Sequence, residues 1–228
     1  MSGSGAGAKR PPVHPAATAT EDAEVVASDG RTVGRRGAVT RRRLLDATAT
    51  LLVEVPLRDL RVVDIAREVG TSPATFYQYF RDVEDAVLVL ADDCGDAMRP
   101  LAGRLDEAWD GLDAAREFVA AFIEFWDQHS AVLRVRNLAA QEGDSRFREL
   151  RRAANLPFID GLAEHVRRAQ AAGRVDAALS PITAAAALMA LLERMATFHR
   201  ELTALGSNRA EVIDTCARIV RQTIDGHP

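Results

Sequence analysis

The stretch RVVDIAREVGTSPATFYQYF, from Arg61 to Phe80, decides the fold of this chain. Apolar residues recur on one helical face before Gly70, and a helix C-cap favours a residue that tolerates positive φ at such a position. Thr71 or Ser72 can then cap a second helix that has Pro73 at its first position, where the missing N–H costs nothing. The stretch therefore predicts two short helices joined by a tight turn, as in a helix-turn-helix.

The second of these helices offers polar and aromatic side chains on its outer face. Phe76 and Phe80 lie four residues apart, so both can pack back onto the first helix. Tyr and Thr hydroxyl groups suit phosphates, and the Gln amide can pair with adenine edges. The side chains expected to face outward are Thr75, Tyr77, Gln78 and Tyr79. This pattern favours a DNA-contacting helix, and the alternative is a helical hairpin with aromatic residues in an ordinary core.

Arginine is concentrated around this stretch. Residues 31–81 contain ten Arg against five acids, whereas the whole chain has a net charge of −4. A basic amino-terminal part on an acidic remainder is typical of a DNA-binding head joined to a different kind of domain. Residues 1–30 contain almost no bulky apolar side chains, which predicts a disordered tail. The basic segment at 31–43 is expected either to order on DNA or to remain a solvated arm.

Every segment after Val83 has helical periodicity, and none alternates as a strand does. We therefore predict an all-α fold of about nine helices. The expected domains are a tail at 1–30, a DNA-binding domain with its linking fourth helix at 31–98, and a second domain at 99–228. The first helix is expected at about 39–55 and the recognition helix at about 73–79. The later helices are expected at 83–98, 113–129, 130–142, 145–172 with a kink at Pro157, 181–205 and 208–224.

Several classes of protein are not supported by the sequence. The chain shows no signal peptide and no apolar run long enough to span a bilayer, so we expect a cytoplasmic protein without a membrane partner. It contains no HExxH pair, no Gly-rich phosphate loop and no GxSxG elbow, so we expect no enzyme, metal or cofactor. The acids Asp92, Asp93 and Asp96 form either a carboxylate cluster or a solvated face. Cys94 and Cys216 are expected to be buried reduced thiols.

The second half of the chain is expected to contain an apolar site. Phe118, Phe122, Phe125 and Trp126 follow one another at spacings of three and four residues. Together with Phe158 and the stripe Leu188, Met189, Leu192 and Met195, they can line a cavity of the kind that holds small molecules, or they can fill an ordinary core. The last two predicted helices have further apolar faces, which are expected to form a homodimer.

Residues Arg41 to Leu90 resemble the TetR/AcrR family of transcriptional regulators, most specifically in the run from Thr75 to Phe80. The resemblance implies a three-helix DNA-binding domain, a long fourth helix, and a helical ligand-binding and dimerisation domain. Family members usually have a phosphate-contacting Lys where Val83 stands here, and Arg81 is the candidate to replace it. The implied DNA contacts are Arg41, Arg61, Val62, Thr71, Ser72, Ala74, Thr75, Tyr77, Gln78, Tyr79 and Arg81.

Within the family, the segments FIEFWDQHSAVLR and LMALLER are similar to the mycobacterial repressors of ethionamide activation. The ligand-binding positions expected from this similarity and from the aromatic spacing are Phe118, Phe122, Trp126, Asn155, Phe158, Met189, Leu192 and Glu193. Glu193 can alternatively pair with Arg194 as a buried structural feature.

The resemblance implies a homodimeric repressor that binds a near-palindromic double-stranded DNA operator and is released by a small apolar or amphipathic effector. The alternatives are a DNA-binding activator or nucleoid-type protein without ligand control and, less well supported, a small helical enzyme.

Overall fold

The computed structural model describes residues 34–105 and 111–226, and the predicted tail at 1–30 lies outside them. These residues form eight α-helices and contain no strand, which confirms the all-α prediction. Short 3-10 turns at Leu57–Asp59 and Glu201–Leu205 precede the second and the last helix. The helices are α1 (Arg35–Leu51), α2 (Val62–Val69), α3 (Pro73–Tyr77), α4 (Val83–Gly103), α5 (Gly111–Glu142), α6 (Ser145–Ala171), α7 (Pro181–Phe198) and α8 (Arg209–Asp225).

Helices α1 to α3 form a small head around buried apolar side chains. Leu44 of α1, Ile65 of α2 and Phe76 of α3 are all fully buried. The rings of Phe76 and Phe80 lie 5.3 Å apart between centroids, so both aromatic residues pack inward as predicted. Helix α1 begins and ends about four residues before its predicted bounds, and α3 ends two residues before its predicted end.

Helices α4 and α5 are longer than predicted, whereas α6 has nearly its predicted bounds. Helix α4 continues through Pro100 to Gly103, and α6 continues through Pro157. Proline removes one intrahelical hydrogen bond. Both prolines lie on the exposed face, where water can bond the carbonyl that loses its partner.

The predicted fifth and sixth helices are one continuous helix, α5, so eight helices replace the expected nine in the described residues. The predicted break at His129 and Ser130 contains neither Gly nor Pro. The His129 ring stacks on Phe125 with centroids 4.1 Å apart, and Nδ1 is 2.9 Å from the Phe125 carbonyl oxygen. These contacts between residues four apart stabilise the helix at the polar residues where its end was predicted.

Helix α5 lies at the centre of the body, in contact with α4, α6, α7 and α8. Helix α4 packs on α1 in the head and on α5 and α6 in the body, so this one helix contacts both parts. Among the described helices, α7 is the one that is long and apolar enough to cross a membrane by length and composition alone. Its buried face packs on α6 inside the body, as expected for a core helix.

Candidate nucleic-acid interface and effector site

The turn between α2 and α3 has the predicted local chemistry. Gly70 adopts a left-handed conformation with φ of 73°, and the N–H of Thr71 donates to the Ala66 carbonyl at 2.9 Å. The Ser72 hydroxyl accepts a hydrogen bond from the Thr75 N–H at 3.2 Å, and Pro73 occupies the first turn of α3. These groups fix where α3 begins and how it leaves the turn.

Arg43 supports this turn from α1. Its Nη2 donates to the carbonyl oxygen of Val69 at 2.9 Å. That carbonyl belongs to the last turn of α2, where helical acceptors lack an intrahelical partner. The guanidinium therefore caps α2 and also places a positive charge near the negative end of its dipole.

The predicted DNA-contacting residues of α3 and its flanks form one surface. Ser72, Ala74, Tyr77 and Gln78 are exposed, whereas Thr71, Thr75 and Tyr79 are partly buried. Tyr77 has 54% of its surface accessible, although its ring also meets Phe76 edge-on at 5.9 Å. A short helix that buries one aromatic face and exposes hydroxyl and amide groups on the other can enter a major groove.

The other predicted DNA contacts occupy different environments. The side chain of Arg61 is 72% exposed and pairs with Asp64 at 3.1 Å, while the adjacent Val62 is partly buried against the head core. The guanidinium of Arg41 lies 5.2 Å from the centroid of Phe80 and is half-buried. Burial lowers the pKa of Arg41, with the negative charge of Asp93 acting in the opposite direction.

Arg81 and Val83 lie where α4 begins. Val83 is 9% exposed and belongs to the core, so its position is an apolar packing site in this chain. Arg81 is exposed, and its Nη2 donates to Asp85 at 2.9 Å. This hydrogen bond raises the pKa of Arg81, so the side chain keeps its positive charge beside the recognition surface.

Two ion pairs connect the head and the body through α4. Arg42 of α1 contacts Asp93 at 3.2 Å, and Arg146 of α6 contacts Glu84 at 3.0 Å. Asp93 therefore belongs to an interhelical contact. The described residues contain no group of three or more His, Cys, Asp or Glu side chains that could hold a metal ion.

The predicted aromatic residues of the effector site come together and pack on each other. Phe122 contacts Trp126, stacked at 6.1 Å between centroids, and Phe158 edge-on at 6.0 Å. Phe118 lies 6.3 Å from Phe158. Met189 and Leu192 are also buried in this core. An open groove of about 1320 Å³ between the head and α5 is lined by other residues, among them Val53, Tyr77 and Leu138.

A polar cluster that the sequence only partly predicted is buried beside this core. Glu193 accepts a hydrogen bond from Asn155 at 3.0 Å and pairs with Arg151 at 2.6 Å. Its predicted alternative partner was wrong, because consecutive helical residues point about 100° apart and Arg194 instead lies 3.4 Å from the Phe198 ring centroid.

The sequence interpretation missed Arg136, which is fully buried on α5. Its Nη2 is 3.8 Å from Glu193 Oε1, and its Nε donates to Asn137 at 3.1 Å. Burial lowers the pKa of Arg136, and the negative charge of Glu193 acts against that shift. The sequence did contain one signal, because Arg136 lies three and four residues after Leu133 and Val132 and so shares their helical face. A search for apolar residues alone does not detect it.

The two cysteines are buried and reduced, as predicted. Burial raises the pKa of Cys94 to about 12, even though the positive charge of Arg136 acts to lower it. Burial also raises the pKa of Cys216. Neither thiol therefore has the thiolate character that a redox switch needs.

The predicted dimerisation faces are divided between the core and the surface. Leu188, Val212, Cys216 and Val220 face the interior of the protomer. The apolar side chains that stay exposed on α7 and α8 are Ile182, Ala186, Ala187, Ala190, Ala210 and Ile219. These exposed side chains are small or β-branched, and they lie on the part of the two predicted dimerisation helices that the protomer core does not cover.

Comparison with known proteins identifies similar sequences for both parts of the chain. A family profile described as "Bacterial regulatory proteins, tetR family" matches residues 44–86, and one described as "Tetracyclin repressor-like, C-terminal domain" matches residues 100–227. An uncharacterized HTH-type transcriptional regulator from Haemophilus influenzae is 29% identical over 132 residues. That alignment covers 56% of this chain and 63% of the relative, which is less than two thirds of the relative's length.

Solved structures share the fold at low sequence identity. A putative transcriptional regulator from Pseudomonas aeruginosa is 20% identical with a TM-score of 0.66, over 83% of this chain and 92% of that one. The transcriptional regulator FadR from Bacillus subtilis, solved in complex with stearoyl-CoA, is 15% identical with a TM-score of 0.59, over 82% of this chain and 99% of that one.

Proposed function

The chain belongs to the TetR family of bacterial regulatory proteins, and on that premise we propose that it is a homodimeric, ligand-responsive repressor that binds a near-palindromic operator. One observation carries the proposal. Helix α3 is held rigidly by Gly70 and Ser72 while its outer face, with Tyr77 and Gln78, is exposed on the basic part of the chain.

In this proposal α3 enters the major groove of duplex DNA. Gln78, with Thr71, Ser72, Ala74 and Thr75, is placed to meet base edges, while Tyr77 and Tyr79 direct hydroxyl groups to phosphates. Arg61 at the start of α2 and Arg81 at the start of α4 flank the same surface and contact the backbone. Val62 offers apolar contact only. Arg41, half-buried with its guanidinium over the Phe80 ring, is proposed as a further contact.

The apolar surface of α7 and α8 supports the proposal of a homodimer. A two-fold pair of protomers joined through these helices presents two copies of α3, and recognition elements in dimers read half-sites one DNA turn or a multiple apart. The operator is therefore expected to be near-palindromic. We propose a DNA-binding head at 31–98 and a body at 99–228 after a tail at 1–30, with the boundary inside α4, which runs from Val83 to Gly103 and connects the two parts.

The effector is proposed to bind in the body, among Phe118, Phe122, Trp126, Phe158, Met189 and Leu192, with Asn155 and Glu193 at one end. The similarity of this region to the mycobacterial repressors of ethionamide activation supports the location. FadR from Bacillus subtilis, a protein of the same fold, was solved with stearoyl-CoA. Because pockets for small molecules are mostly apolar with a few placed polar groups, the effector is expected to be apolar or amphipathic.

Release from DNA is proposed to pass through α4. This helix contacts α1 in the head and α5 and α6 in the body, so a ligand that separates α5 from α6 displaces α4 and changes the spacing of the two heads. A ligand shifts this equilibrium only by its preference for one state, and DNA must weaken the ligand by the same factor. We propose that the protein acts in the cytoplasm without catalytic activity or a cofactor.

The packing of the body favours a second candidate function. Phe118, Phe122, Trp126 and Phe158 fill the centre of the body ring against ring. A body with a filled core is what a DNA-binding activator or nucleoid-type protein without ligand control requires. The two candidates differ in one respect, which is whether any small molecule changes the affinity for DNA.

The proposal is tested by selecting duplexes from a random pool with the full-length protein at fixed salt concentration. A near-palindromic motif bound by two protomers is expected. Gln78→Ala is expected to relax the preference at one base position in each half-site, whereas Gln141→Ala, an exposed glutamine on α5, is expected to select the wild-type motif. A pool without any enriched motif, in which binding depends only on salt, would exclude a sequence-specific regulator.

A further inference from the structure

The buried polar cluster of the body contains one cation more than its internal partners require. Glu193 is satisfied by Arg151 at 2.6 Å and by the Asn155 amide at 3.0 Å. Arg136 reaches the same carboxylate only at 3.8 Å, which is beyond hydrogen-bond distance. Two guanidinium groups thus face a single carboxylate. Arg151 forms the close ion pair with it, and Arg136 has no carboxylate within hydrogen-bond distance in the described part of the chain.

The surplus cation is buried without enough acceptors. Nη1 and Nη2 of Arg136 have no hydrogen-bond partner among the described residues, and the same holds for Nε of Arg151. The Arg136 side chain has no surface accessible to solvent. Buried charges in proteins are normally paired and hydrogen-bonded, because leaving a charged donor unsatisfied costs more than a typical hydrogen bond contributes. A buried guanidinium with two unsatisfied nitrogen atoms therefore calls for a further acceptor that the described residues do not provide.

The residues around Arg136 indicate what kind of molecule could carry that acceptor. Asn155 and Phe158 lie one turn apart on α6, and Leu192 immediately precedes Glu193 on α7, so the polar cluster directly borders the aromatic core. Trp126 Nε1 is a further buried donor without a partner among the described residues, and Trp126 lies between Phe122 and Arg136 along α5. Trp126 and Arg136 are ten residues apart on α5, which corresponds to about 15 Å along a helix axis.

We infer that the body of this protein binds an apolar carboxylic acid, whose carboxylate pairs with the buried guanidinium of Arg136. This inference rests on the proposed function and specifies the chemical class of the effector. A guanidinium presents a planar fork of donors that matches a carboxylate with two parallel hydrogen bonds. Arg151, whose side chain is 36% exposed, links the cluster to the surface and provides the side from which the acid enters.

The position of Arg136 connects the bound acid to DNA release. The charge of Arg136 acts on Cys94, which lies on the buried face of α4. Gly95, the next residue of α4, faces Ala154 of α6, where a Cβ would come within 3.5 Å of the alanine methyl group. Helices α4 and α6 therefore approach closely beside the cluster, and an acid that inserts there separates them.

The first experiment compares ligands on the full-length protein. Decanoate, with a length near the span between Trp126 and Arg136, is titrated beside decanol and decylamine, and binding is measured by calorimetry and by the shift in Tm. Decanoate is expected to bind at least tenfold more tightly than decanol, and decylamine is expected not to bind. Equal affinity for decanoate and decanol would overturn the inference while leaving a ligand-responsive regulator intact.

Absence of binding across a set of carboxylates, from benzoate and hexanoate to dodecanoate, would also overturn the inference. Operator binding is measured in parallel with each ligand. A protein that binds its operator but ignores every acid fails this inference alone, whereas a protein without any operator fails the proposed function.

Substitution of Arg136 gives a second and independent test. Arg136→Met keeps a long apolar side chain while Glu193 retains Arg151 and Asn155. If the cation is kept for a ligand, the variant without ligand is expected to have a Tm equal to or above that of wild type and to lose the preference for decanoate over decanol. If Arg136 is instead a structural partner of Glu193 or is satisfied by ordered water, the variant unfolds at a lower Tm, and that outcome would contradict the inference. Arg134→Met, an exposed arginine on the same helix, serves as the matched control and is expected to leave both properties unchanged.

Discussion

Gly70 is the residue at which the helix-turn-helix depends most directly on backbone conformation. It ends α2 with φ of 73° and ψ of 38°, and a Cβ added there would meet no atom within 4 Å. Replacement by Ala therefore introduces strain without a steric clash. The left-handed conformation costs a residue with a Cβ about 1–2 kcal/mol. The reduced entropy of the unfolded chain returns about 0.4–1 kcal/mol. The expected net loss in the free energy of unfolding is about 1 kcal/mol.

The assay is reversible unfolding of the full-length protein by heat and by urea. A loss of about 1 kcal/mol corresponds to a decrease in Tm of about 2–4 °C for a chain of this size. Gly70→Asn is expected to lose less than Gly70→Ala, because Asn tolerates the left-handed region better than Ala.

Gly103→Ala is the matched control. Gly103 lies in the last turn of α4 without a positive φ, and a Cβ there also meets no atom within 4 Å. Alanine is favoured over glycine in a helix by about 0.5–1 kcal/mol, so this variant is expected to be more stable than wild type. If Gly70→Ala were neutral or stabilising, like Gly103→Ala, the assignment of a left-handed turn between α2 and α3 would be refuted.

Three further predictions concern the head and the buried thiol. Arg43→Met removes the donor to the Val69 carbonyl and is expected to lower the free energy of unfolding by about 1 kcal/mol, measured by urea unfolding. Cys94 has a pKa raised to about 12 in the folded protein, so the stability that its neutral thiol confers is present below pH 9 and is lost as the pH rises from 9 towards 12. Wild type is therefore expected to lose stability more steeply over that range than Cys94→Ala. Arg61→Ala is expected to weaken DNA binding on all sequences and to reduce the slope of log K against log salt concentration by about one, measured by fluorescence anisotropy.

Each of these predictions has a defined contrary result. Unchanged stability of Arg43→Met would mean that the α2 carbonyl is equally well solvated without the guanidinium. Identical pH profiles for wild type and Cys94→Ala would contradict the burial of that thiol. An Arg61→Ala variant that loses affinity for one sequence only, with its salt dependence intact, would assign Arg61 to base recognition and not to a phosphate.

Local chemistry made the head predictable from the sequence. Gly70, Ser72 and Pro73 each act on their own backbone or on residues up to four positions away, so the turn, the cap and the inward orientation of Phe76 and Phe80 follow from spacing. The all-α fold was predictable for the same reason, since apolar periodicity persists through every later segment.

Features that depend on distant residues were not predictable. The continuity of α4 through Pro100 depends on which face of the helix meets solvent, and the packing of α4 on α5 and α6 determines that face. The continuity of α5 through His129 differs, because its ring stack is with Phe125, only four residues away, so the spacing could have indicated it.

Arg136 would be expected at the surface from its charge alone. Its burial is determined by α4 and α7, which cover it from positions far along the chain. The sequence therefore predicted the apolar core of the body and two members of the polar cluster, Asn155 and Glu193. The position of Arg136 in that cluster follows only from the packing of α5, α6 and α7.

The measurement that tests the central proposal most directly is the ratio of the Kd for a scrambled duplex to the Kd for the selected operator, at one salt concentration. For wild type the account predicts a ratio of about 10³ or more, as sequence-specific binders show. For Gln78→Ala it predicts that the difference in binding free energy between the two duplexes falls by about 1–3 kcal/mol. The salt dependence of binding to the scrambled duplex is expected to stay unchanged. A ratio that stays the same after substitution of Gln78 would contradict the assignment of α3 as the helix that reads the DNA sequence.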